Sequence, residues 1–358
     1  MTPGYPINLK KEKKTRILHD TDLHGLSCGV TYLYALMKEG FDDVDVFGHF
    51  DPKPNIMKTC PPDGLDATIR QFSDADIVAV DIPISDRKPQ DIINAFREHV
   101  AKGNIAVFAD HHGQYEYVKE LERAGVCVLM EDSSYKLTML LPRLLGHIDD
   151  FVEGYAYLGA VADADRSIAS MVSEEDEYVI RYLIDDVWKF KKDVLYKELG
   201  IAEDEVRSRG NAGAIAYKIV EKKITARQFI EIMRKYAQPL ELHEEPEVIG
   251  GVCMFKTPPP RDGIEFKLAD LACMKYKCKV AVIPSRFKRG DQVTYSIVIA
   301  KYWREGEDVV KAIEQVVQKY ADRKPTGHAG ARRIPCRDEA ETKELARKIA
   351  EELAQLLS

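Results

Sequence analysis

Three short runs of this chain concentrate side chains that can bind cations or move protons. HDTDLHGLSCG carries Asp20, Asp22 and His24, VAVDIPIS carries Asp81, and FADHHGQ carries Asp110, His111 and His112. Carboxylates gathered without a cation repel one another, and each must raise its pKa. Hard divalent cations remove that cost, and a mixed Asp/His set suits manganese or a comparable ion better than calcium. One aspartate after a strand is ordinarily a helix cap or a turn residue. Recurrence at successive strand ends is what points to a metal centre.

The pattern around these runs says how they are positioned. TRILHD (15–20), VDVFGHF (44–50), DIVAVDIPI (76–84), NIAVFAD (104–110) and VCVLM (126–130) read as strands. Between them lie a helix from about Leu26 to Lys38 and two more in PQDIINAFREHVAKG and QYEYVKELERAG, each of the last two closed by a glycine. Strands alternating with helices predict an α/β domain with a mostly parallel, doubly wound sheet. Ligands of such sheets bind outside the carboxyl ends of the strands. The first, third and fourth strands all end in the acidic and histidine runs.

A chain of 358 residues exceeds one usual core, so more than one domain is expected. Residues 1–173 read as the cation-holding domain. Residues 174–246 are strongly charged and helical, and read as a connector. Residues 247–358 return to strands, in KVAVIPS (279–285) and QVTYSIVIAKY (292–302), with helices over 307–321 and from Glu339 onward, a smaller α+β domain. TPPPRDG (257–263) reads as a flexible loop. Residues 250–337 hold 18 Lys and Arg against 9 Asp and Glu, so this stretch carries +9 while the whole chain carries −7. An acidic half suited to cations precedes a basic half suited to phosphates. The seven cysteines form no CxxC pair, which argues against a zinc site or a disulfide framework and fits a reducing cytoplasm. No apolar run approaches a membrane span, and the N-terminal segment does not read as a signal peptide.

The ordered series DxDxHGLSCG, VAVDIPIS, ADHHGQ and LGAVADADR resembles the four motifs of the DHH phosphoesterase superfamily, over roughly residues 15–170. That superfamily includes RecJ-like exonucleases, nanoRNases, cyclic-dinucleotide phosphodiesterases and family II pyrophosphatases. PTGHAGARRIP (325–335) resembles the glycine-rich signature of the DHH-associated domain. The resemblance implies Asp20, Asp22, His24, Asp81, His111 and Asp163 as ligands of one or two Mn2+ or Mg2+ ions. It implies catalytic roles for Asp110, Asp163 and His112, the last also facing the substrate phosphate. Gly327, His328, Gly330, Arg332 and Arg333 would grip substrate, because glycine admits close backbone approach and arginine binds phosphate with two hydrogen bonds. Asp165 reads as a supporting residue beside this set.

Two departures stand out. The nanoRNase-like first motif reads His-x-Asp-x-Asp-Gly, whereas here Asp20, Asp22 and His24 precede Gly25, as if histidine and aspartate had exchanged places. Imidazole ligates through one nitrogen and cannot bridge two ions as a carboxylate can. The second signature has Pro325 and Thr326 where the family has glycines. The sequence thus implies a metal-dependent phosphodiesterase acting on short or single-stranded nucleic acid. A phosphoesterase acting on cyclic dinucleotides or nucleotide bisphosphates, and a catalytically altered binding protein, are the alternatives. No membrane partner is expected, and a homodimer is left open.

Overall fold

A computed structural model describes residues 7, 9–48, 64–84, 88–113, 115–260, 264–289, 292–328 and 330–358. Residues 49 and 50 of the second strand reading, residues 85 and 114, 261–263 of the proline loop and residue 329 lie outside this set.

The chain divides into two compact units, residues 1–172 with 184–237, and residues 173–183 with 238–358. The first unit opens with β1 (Thr15–His19), α1 (Leu23–Glu39), β2 (Val44–Gly48), α2 (Leu65–Gln71) and β3 (Asp76–Val80). It continues with α3 (Pro89–Ala101), β4 (Ala106–Asp110), α4 (Tyr115–Arg123), β5 (Cys127–Met130), α5 (Ser134–Leu144) and α6 (Asp150–Ala162). The strands form one sheet in the order β2-β1-β3-β4-β5, every pair parallel. Alternation along the strands covers both faces. Leu18, Ile77, Ala79 and Phe108 join Ile92, Phe96 and Leu121 of α3 and α4 in one core. Ile17, Val78 and Val80, at the intervening positions, are equally buried. On β1, β2 and β3 packs α1, which also meets α5 and α6.

Chain then passes through α7 (Glu174–Glu177) and a π-helical run, Tyr178–Ile184, into α8 (Asp185–Phe190), α9 (Lys192–Leu199), α10 (Glu203–Lys222) and α11 (Ala226–Arg234). The segment read as a connector is helical, and its residues 184–237 pack as part of the first unit. Here α10 lies on β2 and α11 on α6.

The second unit holds β6 (Glu247–Ile249), β7 (Val252–Met254), α12 (Glu265–Tyr276), β8 (Val280–Arg289), β9 (Gln292–Lys301), α13 (Glu307–Gln318), β10 (Thr326–His328), β11 (Ala331–Cys336) and α14 (Glu339–Leu357). Its sheet runs β10-β11-β9-β8-β7-β6, with β7 and β8 parallel and the other pairs antiparallel. One face packs on α13 and α14, through Val282, Ile299, Ile313 and Leu353. The other packs on α12, through Ala281, Val298 and Leu268.

Helix α1 begins three residues earlier than the apolar periodicity suggests. The Asp22 side chain caps it, accepting from the Gly25 N–H at 2.7 Å. This places His24 in the first turn rather than in a loop. A Cβ on Gly25 would lie 2.2 Å from the Asp20 carbonyl oxygen, so only glycine admits this close passage. Gly25→Ala should therefore cost about 1–3 kcal/mol of stability, as overpacking does, read as a lowered midpoint in chemical denaturation. A midpoint unchanged from wild type would show that the 20–25 turn relaxes freely.

Candidate metal centre

Strand order reverses between β1 and β3, and in a 2-1-3-4-5 sheet this is where a crevice opens at the carboxyl ends. The structure places Asp20, Asp22, His24 and Asp81 around that point, with Asp110 at the end of β4 and His111 and His112 directly after it.

Asp81 is the hub. Immediately after β3 it adopts a left-handed backbone, φ +58°, a conformation a non-glycine residue holds at a cost of order 1 kcal/mol or more. Its N–H still donates to the Ala109 carbonyl at 2.9 Å. The carboxylate is 2% exposed. Its Oδ2 lies 2.8 Å from His24 Nδ1, and its Oδ1 lies 3.2 Å from His111 Nε2 and 4.0 Å from His112 Nδ1. Burial works against its charged form, but the His24 and His111 imidazoles outweigh burial and hold the carboxyl well below the usual range.

His24 is fully enclosed, and its two nitrogens are differently engaged. Nε2 lies 3.1 Å from the Ser134 carbonyl, which can only accept, so this nitrogen carries a proton. Nδ1 then faces Asp81. Without a cation Nδ1 must also be protonated to donate to the carboxylate, and the imidazole is held well above its ordinary pKa despite burial, chiefly by Asp81. With a cation present, Nδ1 can offer its lone pair. A ring N–H given to a backbone carbonyl is the usual way to fix a ligating histidine. Cys28 Sγ, 3.5 Å from Nε2, and Thr138, whose hydroxyl donates to the same Ser134 carbonyl, complete the enclosure.

Two groups that could hold a cation result, His24–Asp81–His111 and Asp81–Asp110–His112, with Asp81 in both. His112 Nδ1 is 2.7 Å from Asp110 Oδ1, a hydrogen bond that raises the imidazole to about 9 against its partial burial. Asp81 Oδ1, Asp110 Oδ2 and His111 Nε2 are buried without a well-formed hydrogen bond. Unsatisfied buried polar atoms are costly, and these lie where a cation would be ligated. The donors, carboxylate oxygens and imidazole nitrogens, are those a Mn2+-class ion takes.

Asp20, Asp22 and Asp163 stand outside the two tight groups. Asp20 Oδ1 accepts from the Thr21 N–H, and Asp22 caps α1. Burial, then the Asp22 charge, pushes Asp20 up to about 7. Asp22 keeps solvent-accessible surface, but the protein around it, followed by Asp81, also drives its carboxyl upward. Asp163, at the end of α6, brings Oδ2 to 3.7 Å from His111 Nε2. Asp165 accepts from the Ser134 hydroxyl at 3.1 Å and from the Tyr135 N–H at 2.9 Å, bracing the residue whose carbonyl orients His24. Trp188 of α8 donates to the Thr21 carbonyl at 2.8 Å, between the two aspartates. Ser134, Thr138 and Trp188 carry no motif, and the sequence reading passed over them.

In the second unit the PTGHAGARRIP run forms the β10–β11 hairpin. Gly327 sits at φ +104°, where a Cβ would come within 2.3 Å of the Ala331 carbonyl. Arg332 pairs with both oxygens of Glu314 at 2.7 Å and donates to the Gly327 carbonyl. Arg333 donates to Ser285 and Ser296 at 2.9 Å. Gly330 is buried beside Lys301, and the His328 side chain lies outside what the structure describes. Trp303 is buried in this unit and Tyr302 partly so. Tyr302 donates to Glu177, and Trp303 lies beneath the Arg181 and Arg304 guanidiniums.

No family model matches the chain, and no curated protein sequence does. Solved structures do. A pGpG-specific phosphodiesterase, PggH from Vibrio cholerae, aligns over 95% of this chain and 100% of its own with a TM-score of 0.50 at 13% identity. An exopolyphosphatase-related protein from Bacteroides fragilis aligns over 96% and 92% with a TM-score of 0.49 at 11% identity. RecJ of Thermus thermophilus, in complex with Mn2+, aligns over 99% of this chain and 56% of its own, with a TM-score of 0.39 at 15% identity. At a TM-score of 0.50 the pGpG-specific phosphodiesterase shares its fold with this chain. Among the described residues no helix is long and apolar enough to cross a membrane.

His24→Asp would set two buried carboxylates side by side and remove the donor to Ser134. In metal-free protein this should cost about 3–5 kcal/mol, as an uncompensated buried charge does, and added Mn2+ should raise the melting temperature of the variant more than that of wild type. Equal metal responses in the two proteins would remove position 24 from the site.

Proposed function

We propose that the chain is a metal-dependent phosphodiesterase that hydrolyses short or single-stranded nucleic acid. The observation that carries this reading is the pair of ligand groups sharing Asp81, with three unsatisfied buried donor atoms at a sheet switch point. One or two Mn2+ or Mg2+ ions bound there would acidify the attacking water and stabilise charge on the phosphoryl oxygens. His24, Asp81, His111 and, in the second group, Asp110 would hold them, with Asp20, Asp22 and Asp163 completing the shell. His112, kept cationic by Asp110, faces the substrate and donates a hydrogen bond to a phosphoryl oxygen as charge develops. Asp165 and Ser134 keep His24 in one tautomer. Gly327, His328, Gly330, Arg332 and Arg333 are proposed to bind the substrate backbone. Arg332 must loosen from Glu314 to do so, whereas Arg333 is already held in the sheet.

A second reading, a phosphodiesterase confined to dinucleotides, draws support from the fold shared with the pGpG-specific enzyme. Binding of nucleic acid without hydrolysis is the third, and His24 in place of an aspartate is the feature that favours it. A panel of labelled oligonucleotides of several lengths, pGpG and cyclic dinucleotides, each with Mn2+ or Mg2+, separates the three. Hydrolysis across lengths supports the first, turnover of dinucleotides alone the second, and binding without turnover the third. Asp81→Ala and His111→Ala should each lower kcat/KM at least a hundredfold, roughly 2.7 kcal/mol of barrier, with circular dichroism unchanged. Activity within about tenfold of wild type, roughly 1.4 kcal/mol, would place the reacting centre elsewhere.

A further inference from the structure

The layer between the second sheet and α12 contains three buried thiols, Cys253, Cys273 and Cys278. Cys253 lies on β7, and its side chain faces α12 because Val252 and Met254 face the opposite core. Cys278 follows α12. Lys277 ends the helix in a left-handed conformation, φ +56°, and the Cys278 N–H returns to the Cys273 carbonyl at 3.0 Å. The two elements converge so closely that Cys253 Sγ and Cys278 Sγ are 2.7 Å apart. An S–S bond is about 2.05 Å, so little movement separates the thiols from bonding distance.

Of the pair, Cys278 borders a cavity, while Cys253 is sealed behind it. Cys273 and Cys278 line a cavity of 240 Å³ with Met274, Lys277, Tyr302 and Arg304, roughly eight times the volume a water molecule occupies in the liquid. The three sulfurs do not converge as a metal cage requires, for among the described residues only the two histidine–aspartate groups do.

We propose that Cys253 and Cys278 are a modification site, a dithiol that a hydroperoxide-class oxidant entering by this cavity converts to an intramolecular disulfide. The Cys278 sulfur attacks one peroxide oxygen, the O–O bond breaks, and a sulfenic acid and one water form. The Cys253 sulfur then displaces the hydroxyl of that sulfenic acid, the S–S bond forms, and a second water leaves. Two thiols lose two electrons, one hydrogen peroxide gains them, and both thiol protons end in water. The hydrogen bond to Cys273, with burial, pushes the Cys253 thiol well above its ordinary range, and Cys278 is raised as well, by its hydrogen bond to Cys253 and by burial. The thiolate is thus scarce and the reaction is slow, over minutes to hours. Once formed, the bond joins residues 25 positions apart and ties β7 to the turn that starts β8.

The test uses the full chain. Protein is treated with hydrogen peroxide, quenched, denatured, alkylated and digested with trypsin, which cuts after Lys256, Lys267, Lys275 and Lys277 and so separates the three cysteines. The expected result is an intact-mass loss of about 2 Da and a linked peptide pair containing Cys253 and Cys278. Cys273 should remain alkylated, and reductant should restore both thiols. Cys278→Ser should abolish the link. The wild-type peptide map decides the matter even if that variant misfolds. Full alkylation of Cys253 and Cys278 after treatment, a Cys253–Cys273 link, or sulfinic acid at either position would each overturn the proposal.

Discussion

A carboxylate sealed from solvent stays ionised only if positive charge stands beside it, and much of the first unit is arranged to meet that condition at Asp81. The left-handed turn after β3 directs the side chain inward, α1 presents His24 to one oxygen, and the chain after β4 presents His111 to the other. In metal-free protein His24 serves as the counter-charge. The same geometry gives a cation two imidazoles and a shared carboxylate, so the charge can pass from a proton to a metal without rebuilding the site. Asp20 and Asp22, driven upward by burial and by neighbouring carboxylates, mark where negative charge exceeds what one histidine can balance.

This centre was legible in the sequence to the extent that it sits at strand ends. The β1, β3 and β4 runs end in their acidic and histidine residues, and period-2 apolar patterning was enough to find those strands. Asp22 shows the limit of such reading. As an isolated strand-end aspartate it suits a cap and a ligand equally, and in the structure it caps α1 and stands beside the ligand groups. The start of α1 was misplaced because its first turn, Leu23-His24-Gly25, has little apolar periodicity, and the cap hydrogen bond defines it instead. Ser134 and Trp188 act on the site through backbone carbonyls, of Ser134 itself and of Thr21, which leave no spacing signal.

The second unit was less legible, for related reasons. The glycine and arginine run read as a substrate-gripping signature without secondary structure of its own, and in the structure β10 and β11 form a hairpin in which Arg332 and Arg333 alternate between sheet faces and find Glu314 on one side and Ser285 and Ser296 on the other. The scattered cysteines gave no framework pattern, because the approach of Cys253 to Cys278 is made by a strand meeting a helix end and not by their spacing in the chain. Tyr302 and Trp303 are drawn into an ionic network with Glu177, Arg181, Asp270 and Arg304.

The central claim is that Asp81 and the histidines around it form a cation site. Crystals soaked in MnCl2 and measured at a wavelength where manganese scatters anomalously test it most directly. The account predicts an anomalous peak within roughly 2.0–2.6 Å of an Asp81 oxygen and of a nitrogen of His111, with His24 or Asp110 as a further ligand. Crystals at millimolar Mn2+ with no peak at Asp81, or with manganese bound only elsewhere, would contradict it.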